Sequence, residues 1–450
     1  MIGATGIPAQ PILRTPSLRL LHLSDIHFGG YGPEWDEDDD QREQLLEDVR
    51  RLVSTGGPIE GIVVGGDIAF SGEPAQYDRA RAWLSHLVEI CGCREGDVWV
   101  VPGNHDIDRA HVRQSPILRD FRRAIRACEQ SELNDEMRAR LANDPHCEGL
   151  VGMLRAYNEF ALPWGCHVSA RTFHWKDDTL SIGDHPVMLW GINSVLVSDG
   201  DDAPDDLESN TRANLVLGTR QCQIPGIDNI VRIILIHHPP NWISDWNAVK
   251  PYLDRAHLVL FGHEHRYAAD QETPGGTVYI RAGAVGPERG EDWVPSYNLL
   301  SLSIQGHSLC VSVDPRFWAP GRTRFGPHPD GRRSFEIELQ DGVETEDTGP
   351  ALPEVGADGG PAEATPLNEP TTAVAGPGRK EEGPDAADRR RELVFRYLSE
   401  APTRRDEIAR SLKVYDDIDS ALPTGEFYAT ILRRVRDRGL INELAKELDV

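Results

Sequence analysis

Between Leu18 and Leu339 short apolar runs alternate with amphipathic or polar stretches. The runs are "LRLLHL", "IEGIVVGG", "VWVV", "PVMLWGI", "VRIILI" and "HLVLF". Runs this short and this apolar predict strands buried on both faces of a sheet. Residues 39–54 and 75–90 instead repeat apolar positions at three and four, which predicts helices laid against that sheet. Beyond Gly275, "TVYIRAGA", "SYNLLSLSI" and "HSLCVSV" read as further strands joined by turns. The predicted fold class over 18–339 is a layered α/β domain. Residues 108–160 break the alternation. They are polar and helical in spacing, an insertion placed where a cap over a site could sit.

Residues 340–387 are rich in Pro, Gly, Ala, Thr and Glu and nearly free of aromatics. Such a segment cannot bury enough apolar surface to offset chain entropy, which predicts a disordered linker. Residues 388–450 return to helical spacing in "RRELVFRYLSEA", "TRRDEIARSL" and "EFYATILRRVRDRGL". They predict a small all-α domain with Thr403 as an N-cap and Gly439 as a C-cap. The unit holds 13 basic and 13 acidic residues and is neutral. Its arginines at 433, 434, 436 and 438 read as a solvated basic face.

Charge narrows the function classes. The chain carries a formal net charge of −26. A field of that sign repels nucleic-acid phosphates and excludes a general coat protein for DNA or RNA. It leaves open an enzyme acting on phosphates, because bound divalent cations reverse the field locally. The acidic runs at 37–40 and 199–206 read as solvated loops. The seven cysteines are scattered, no apolar run approaches the ~20 residues of a membrane span, and the first residues lack the layout of a signal peptide. Together these predict reduced thiols in a cytoplasmic protein.

The chemistry lies at the strand ends. After "LRLLHLS" come Asp25 and His27; after "IEGIVVGG", Asp67; after "VWVVPG", Asn104 and His105. After "VRIILI" come His237 and His238, and after "HLVLFG", His263 and His265. In α/β sheets ligands bind outside the carboxyl ends of the strands, so five such turns should converge on one crevice. Asp25 and His27 lie two apart, as do His263 and His265, so in extended chain each pair points to one side. Glycines at 65, 66, 103 and 262 permit close backbone approach. Carboxylate, imidazole and amide ligands together suit Mn, Fe, Zn, Ni or Co better than Ca or Mg. The expectation is a dinuclear metal site.

The ordered set D-x-H, G-D, G-N-H-D, H and G-H-x-H resembles the calcineurin-like metallophosphoesterase superfamily. "GGDIAFSGEPAQYDRA", "HHPP" and "GHEH" resemble most its branch of bacterial class III cyclic-nucleotide phosphodiesterases. The resemblance implies a four-layer αββα sandwich and two divalent transition-metal ions. Asp25, His27 and His265 would hold one ion and Asn104, His237 and His263 the other, with Asp67 bridging. His237 is preferred to His238 because the first histidine of the family's H-H-P-P form is the ligand. His105 would protonate the leaving oxygen, with Asp106 orienting it, and a metal-bridging hydroxide would attack a phosphodiester. Two alternatives carry other functions. A DNA nuclease of the double-strand-break repair type shares the motifs, but no basic track for a DNA backbone is visible; intact ligands argue against a non-catalytic scaffold. The helical unit 388–450 is similar to effector-associated adaptor domains of bacterial conflict-signalling proteins, which implies a protein partner. Its rival is a winged-helix DNA binder opened by "RRDEIARSLK", which balanced charge disfavours.

Overall fold

The computed structural model describes residues 17–29, 38–169, 172–200, 202–206, 211–226, 229–286, 294–319, 321–329, 331–339, 393, 396–397, 402–415 and 424–448. Most of the acidic run 37–40 and of the run 199–206 falls within these residues; the linker 340–387 lies outside them.

Two sheets build the large domain. In the first, β1 (Ser17–Leu23), β2 (Gly61–Val64) and β3 (Val98–Val100) run parallel. The hairpin of β10 (Ser296–Gln305) and β11 (Ser308–Ala319) extends it antiparallel, with Leu20 opposite Leu300. Both β12 (Arg324–Pro327) and β13 (Arg333–Glu338) pair with β11. The second sheet has the order β4-β5-β6-β7-β9-β8. Its parallel centre is β5 (His185–Ile192), β6 (Val231–Ile236), β7 (Leu258–Phe261) and β9 (Val278–Arg281). The antiparallel edges are β4 (His174–Ile182) and β8 (Ala268–Gln271). The central strands are apolar throughout because both of their faces are covered, and residues of both sheets form one contiguous core. The half-buried edge strands β4, β12 and β13 alternate too weakly to have been predicted from pattern.

Helices α1 (Asp39–Gly56) and α2 (Pro74–Cys91) follow β1 and β2 and match the predicted spans within two residues. A capping box between Glu73 and Gln76, with Pro74 in the first turn, starts α2. Asp48, on the buried face of α1, receives Nε and Nη2 of Arg316 at 2.8 Å each and the Tyr297 hydroxyl at 2.6 Å. That charge pair bolts α1 to β10 and β11. On the other sheet, α8 (Thr219–Cys222) accepts the Trp190 indole through Gln221, and α9 (Trp246–Leu253) packs Trp246 on Phe261.

The insertion is a run of five helices: α3 (Arg109–Gln114), α4 (Pro116–Ala127), α5 (Leu133–Leu141), α6 (Asp144–Met153) and α7 (Arg155–Ala161). It is tied to β3, to α8 and to the loop after β5. Tyr157 donates to the Val100 carbonyl at 3.1 Å, and Asn134 accepts from the Thr219 amide at 2.9 Å. Arg126 reaches Asp199 at 2.7 Å and Asp202 at 3.4 Å. The run 199–206 is therefore not simply a solvated loop: two of its carboxylates receive a guanidinium from the insertion.

Towards the C-terminus, α10 (Pro402–Ser411), α11 (Thr424–Asp437) and α12 (Ile441–Glu447) enclose a second apolar cluster with Ile408, Ile431, Val435 and Leu444. Leu162, at the end of the insertion, joins that cluster. Gly439 takes the left-handed conformation just beyond α11, as a C-terminal glycine does. The basic stripe is not wholly given to solvent: Arg434 and Arg438 donate to the carbonyls of Val414 and Lys413. Among the described residues, all seven cysteines are free and no helix is long and apolar enough to cross a membrane.

Candidate metal centre

Five strands stop at one edge of the two sheets, and the turns that follow are laced to one another. The Asp25 amide donates to Gly66 O and the His27 amide to Asp67 O, joining the turns after β1 and β2. His105 N donates to Asp67 Oδ1 at 2.8 Å, joining the turn after β3. Within the second sheet Gly262 N donates to His237 O, and the turn after β7 reaches the first sheet through His263 N, which donates to Asp25 Oδ2 at 3.0 Å.

Asp25, His27, Asp67, His263 and His265 have φ between 51° and 71°. They are five of the eight non-glycine residues with positive φ among the described residues. The D-x-H and H-x-H pairs therefore do not converge through an extended chain, as alternation suggested, but through left-handed turns. Such backbone persists only where surrounding structure enforces it, and it gathers at functional sites. The glycines next to these turns hold contacts that a Cβ would obstruct. A Cβ on Gly103 would lie 2.1 Å from Asp67 Oδ1, and one on Gly66 2.6 Å from His237 Nδ1.

The side chains meet in two groups. His265 Nε2 lies 3.2 Å and His27 Nε2 3.8 Å from Asp25 Oδ1, and the three ligand atoms form a cluster that could hold an ion. His237 Nε2 lies 3.3 Å from Asp67 Oδ2 and 3.2 Å from Asn104 Oδ1. His27 Nε2 is 3.7 Å from that same Asp67 oxygen, so Asp67 stands between the groups. His263, packed edge-on against Trp242, shares a cluster with His237 and His238.

His238, the second histidine of the HHPP run, also sits inside this constellation. Its Nδ1 is 2.8 Å from Ser194 Oγ, and its buried Nε2 has no hydrogen-bond partner. Periodicity could not have distinguished it from His237, because adjacent residues at the end of a buried strand are both buried. His105 is placed by Phe70 O, 2.7 Å from Nδ1. Asp106, expected to orient that ring, bonds to the turn that carries it. Its carboxylate accepts from Ala69 N at 3.0 Å, Gly103 N at 2.9 Å and the Tyr77 hydroxyl at 2.8 Å, which makes it the clamp of the turn. Burial, and then the charge of Asp67, raise the Asp106 pKa.

The donor set fits a cation. His237 Nδ1 lies 2.6 Å from Gly65 O, so that nitrogen carries a proton, and Nε2, once deprotonated, turns a lone pair toward the carboxylate of Asp67 and the amide oxygen of Asn104. Three acceptors facing one another repel unless a positive charge joins them. Burial by itself would lower the His237 pKa, yet the Asp67 carboxylate raises it to about 9, which shows how strongly this pocket draws positive charge. The Asp67 carboxyl is held far below its ordinary range by His237 and His105 despite full burial.

A two-sheet α/β fold whose candidate ligands all leave strand ends at one edge is a scaffold on which a metal site can be built. The family model for calcineurin-like phosphoesterases matches residues 18–267, and the chain belongs to that family. A second model, for a GTPase-associated adaptor domain, matches residues 389–449. A cAMP/cGMP dual specificity phosphodiesterase of Mycobacterium tuberculosis is 38% identical over 104 residues, which are 22% of this chain and 30% of that relative. Solved structures that are similar include a conserved uncharacterized protein, a predicted phosphoesterase, from Streptococcus pneumoniae. It shares 12% identity, covers 71% of this chain and 98% of its own, and has a TM-score of 0.28. Vps29 from Chaetomium thermophilum shares 10%, with 72% and 98% covered and a TM-score of 0.29. A 5'-nucleotidase precursor from Thermus thermophilus shares 11%, with 72% and 54% covered and a TM-score of 0.30.

Proposed function

We propose that the protein is a dinuclear-metal-dependent phosphodiesterase, carried to its place of action by the helical unit at 388–450 acting on a protein partner. The observation that carries the catalytic reading is the meeting of His237 Nε2, Asn104 Oδ1 and Asp67 Oδ2 within 3.3 Å of the histidine nitrogen. Asp25, His27 and His265 would hold one ion and Asn104, His237 and His263 the other, with Asp67 shared. Mixed oxygen and nitrogen donors favour Mn, Fe, Zn, Ni or Co. When bound, such cations neutralise charge on the phosphoryl oxygens and lower the pKa of water toward neutrality.

The chain's own part is to position and to move a proton. Phe70 O fixes the Nδ1 side of His105, so Nε2 is the atom that faces a departing oxygen, and an imidazolium there gives it a proton. Asp106 keeps the GNHD turn closed so that this ring does not drift. No side chain needs to act as the nucleophile. The 38% identity over 104 residues to a cyclic-nucleotide phosphodiesterase supports a diester as substrate. The match of 389–449 to an adaptor model supports a protein partner.

Purified full-length protein supplied with Mn²⁺ should release nitrophenol from bis-p-nitrophenyl phosphate, and a chelator should stop it. No hydrolysis of this diester or of the monoester, with metal shown to be bound, would leave a scaffold in place of an enzyme.

A further inference from the structure

In a chain of net charge −26, helix α4 carries Arg119, Arg122, Arg123 and Arg126. They are spaced i, i+3, i+4 and i+7, so they form one stripe. Arg109 and Arg113 on α3 face the same space, and with Asp199 and Gly200 they line a groove of about 460 Å³. No basic track was visible in the sequence, because these arginines are spread over two helices and become neighbours only when the helices pack.

The groove is electrostatically incomplete. Of the six arginines, Arg126 is matched by Asp199 and Asp202. Among the described residues none of the other five has a carboxylate within 4 Å. Arg122 is only 4% exposed; its one hydrogen bond runs to the Met153 sulfur at 3.5 Å, and its Nε has no partner. Burial pulls the Arg122 pKa down to about 10. Asp199 and Asp202 attract Arg122 only from beyond direct contact, and both are already engaged by Arg126, while like charges at i, i+4 along the helix repel. An arrangement this costly is explained by an anion that completes it.

Position suggests which anion. One wall of the groove, α3, begins four residues after His105, with Asp108 capping it through the His111 amide at 2.9 Å. The other wall, Asp199 and Gly200, belongs to the loop after β5 that also carries Ser194, the partner of His238. Both walls thus issue from the edge that bears the metal-ligand turns. Guanidinium forks match phosphate oxygens two at a time, and five forks with no carboxylate in direct contact among the described residues suit a multiply charged group. The volume exceeds that of one phosphate and falls in the range of small-molecule sites.

We infer that the groove between α3, α4 and the 199–200 loop is a binding site for an organic phosphate of two or more negative charges. Its source is either a second phosphate on the substrate or a separate nucleotide acting as effector; only the first rests on the phosphodiesterase reading above.

The test uses inorganic pyrophosphate as probe on full-length protein stripped of metal and desalted. Calorimetry at low ionic strength should show binding to the wild type. The double variant Arg113→Ala/Arg123→Ala, which removes two exposed and unmatched side chains, should weaken it at least tenfold with unchanged thermal midpoint. No binding to the wild type, or equal binding to the variant, overturns the proposal. A kinetic arm then separates the sources in the metal-loaded enzyme. A loss of at least tenfold in kcat/KM on a 5'-phosphorylated dinucleotide, carried by KM, with bis-p-nitrophenyl phosphate unaffected, assigns the groove to the substrate. Equal rates on both, with pyrophosphate binding lost, assign it to an effector. Pyrophosphate binding by a protein that hydrolyses neither compound would sink the enzyme and leave the groove standing.

Discussion

The Nδ1 of His237 lies 2.6 Å from the carbonyl oxygen of Gly65, 172 residues earlier and at the end of a strand in the other sheet. This one hydrogen bond joins the two sheets at the edge where the ligands gather and decides which ring nitrogen carries the proton. Replacing His237 by Gln removes both the donor to Gly65 and the lone pair aimed at Asp67. Affinity for Mn²⁺ should fall at least about tenfold, as read by calorimetric titration; an unchanged affinity would remove His237 from the ligand set.

His105 should behave differently from the ligands. His105→Ala leaves every atom of the two ligand groups in place, so metal content should match wild type in elemental analysis. Turnover should drop by roughly 10²–10⁴-fold on substrates with poor leaving groups, and far less on nitrophenyl esters, whose leaving oxygen needs no proton. An equal loss on both would deny His105 the role of acid.

Gly103 tests the packing behind the site. Alanine there would put a Cβ 2.1 Å from Asp67 Oδ1 and 2.6 Å from its amide nitrogen, so Asp67 must move. Gly103→Ala should lose metal affinity as severely as Asp67→Ala. Gly326, whose Cβ would meet nothing within 4 Å, serves as the neutral control. Wild-type metal binding in Gly103→Ala would mean that Asp67 is not a ligand.

Asp48 tests stability far from the chemistry. Its carboxylate is fully buried and faces Arg316, itself nearly buried, so Asp48→Ala strands a guanidinium and should cost about 3–5 kcal/mol in denaturant unfolding. Burial pushes the Asp48 pKa up, but hydrogen bonds from Arg316, Tyr297 and Arg51 hold it below its ordinary value. A carboxyl depressed in the folded state stabilises above its unfolded pKa, about 3.9, and that contribution is lost as pH falls through the lower folded value. The acid limb of the stability curve below about pH 4 should therefore flatten in Asp48→Asn. A limb identical to wild type would show that Asp48 contributes nothing there.

Much of this protein was legible in the order of its residues. Strands such as Leu258–Phe261 and Val231–Ile236 are short apolar runs because both faces of a central strand are buried, and that rule needs no tertiary knowledge. Ligand types at strand ends are equally local: Asp67 after Gly66 and Asn104 after Gly103 declare a turn bearing a donor. The helical spacing of α1 and α2 likewise declares their amphipathic faces, whatever they pack against.

Contacts between segments far apart in the chain were decided only by folding. Left-handed φ values at Asp25, His27, His263 and His265, the Gly65 carbonyl beneath His237 and the Phe70 carbonyl behind His105 all depend on turns bonding to other turns. Asp106 reads as a neighbour of His105 in sequence, yet its carboxylate belongs to the amides of Ala69 and Gly103. The arginines of α3 and α4 look ordinary one by one and become a groove because two helices bring six guanidinium groups around one space. Periodicity and residue type are properties of a segment and survive in its sequence; direction, partner and local field are sums over the whole fold, and no segment contains them.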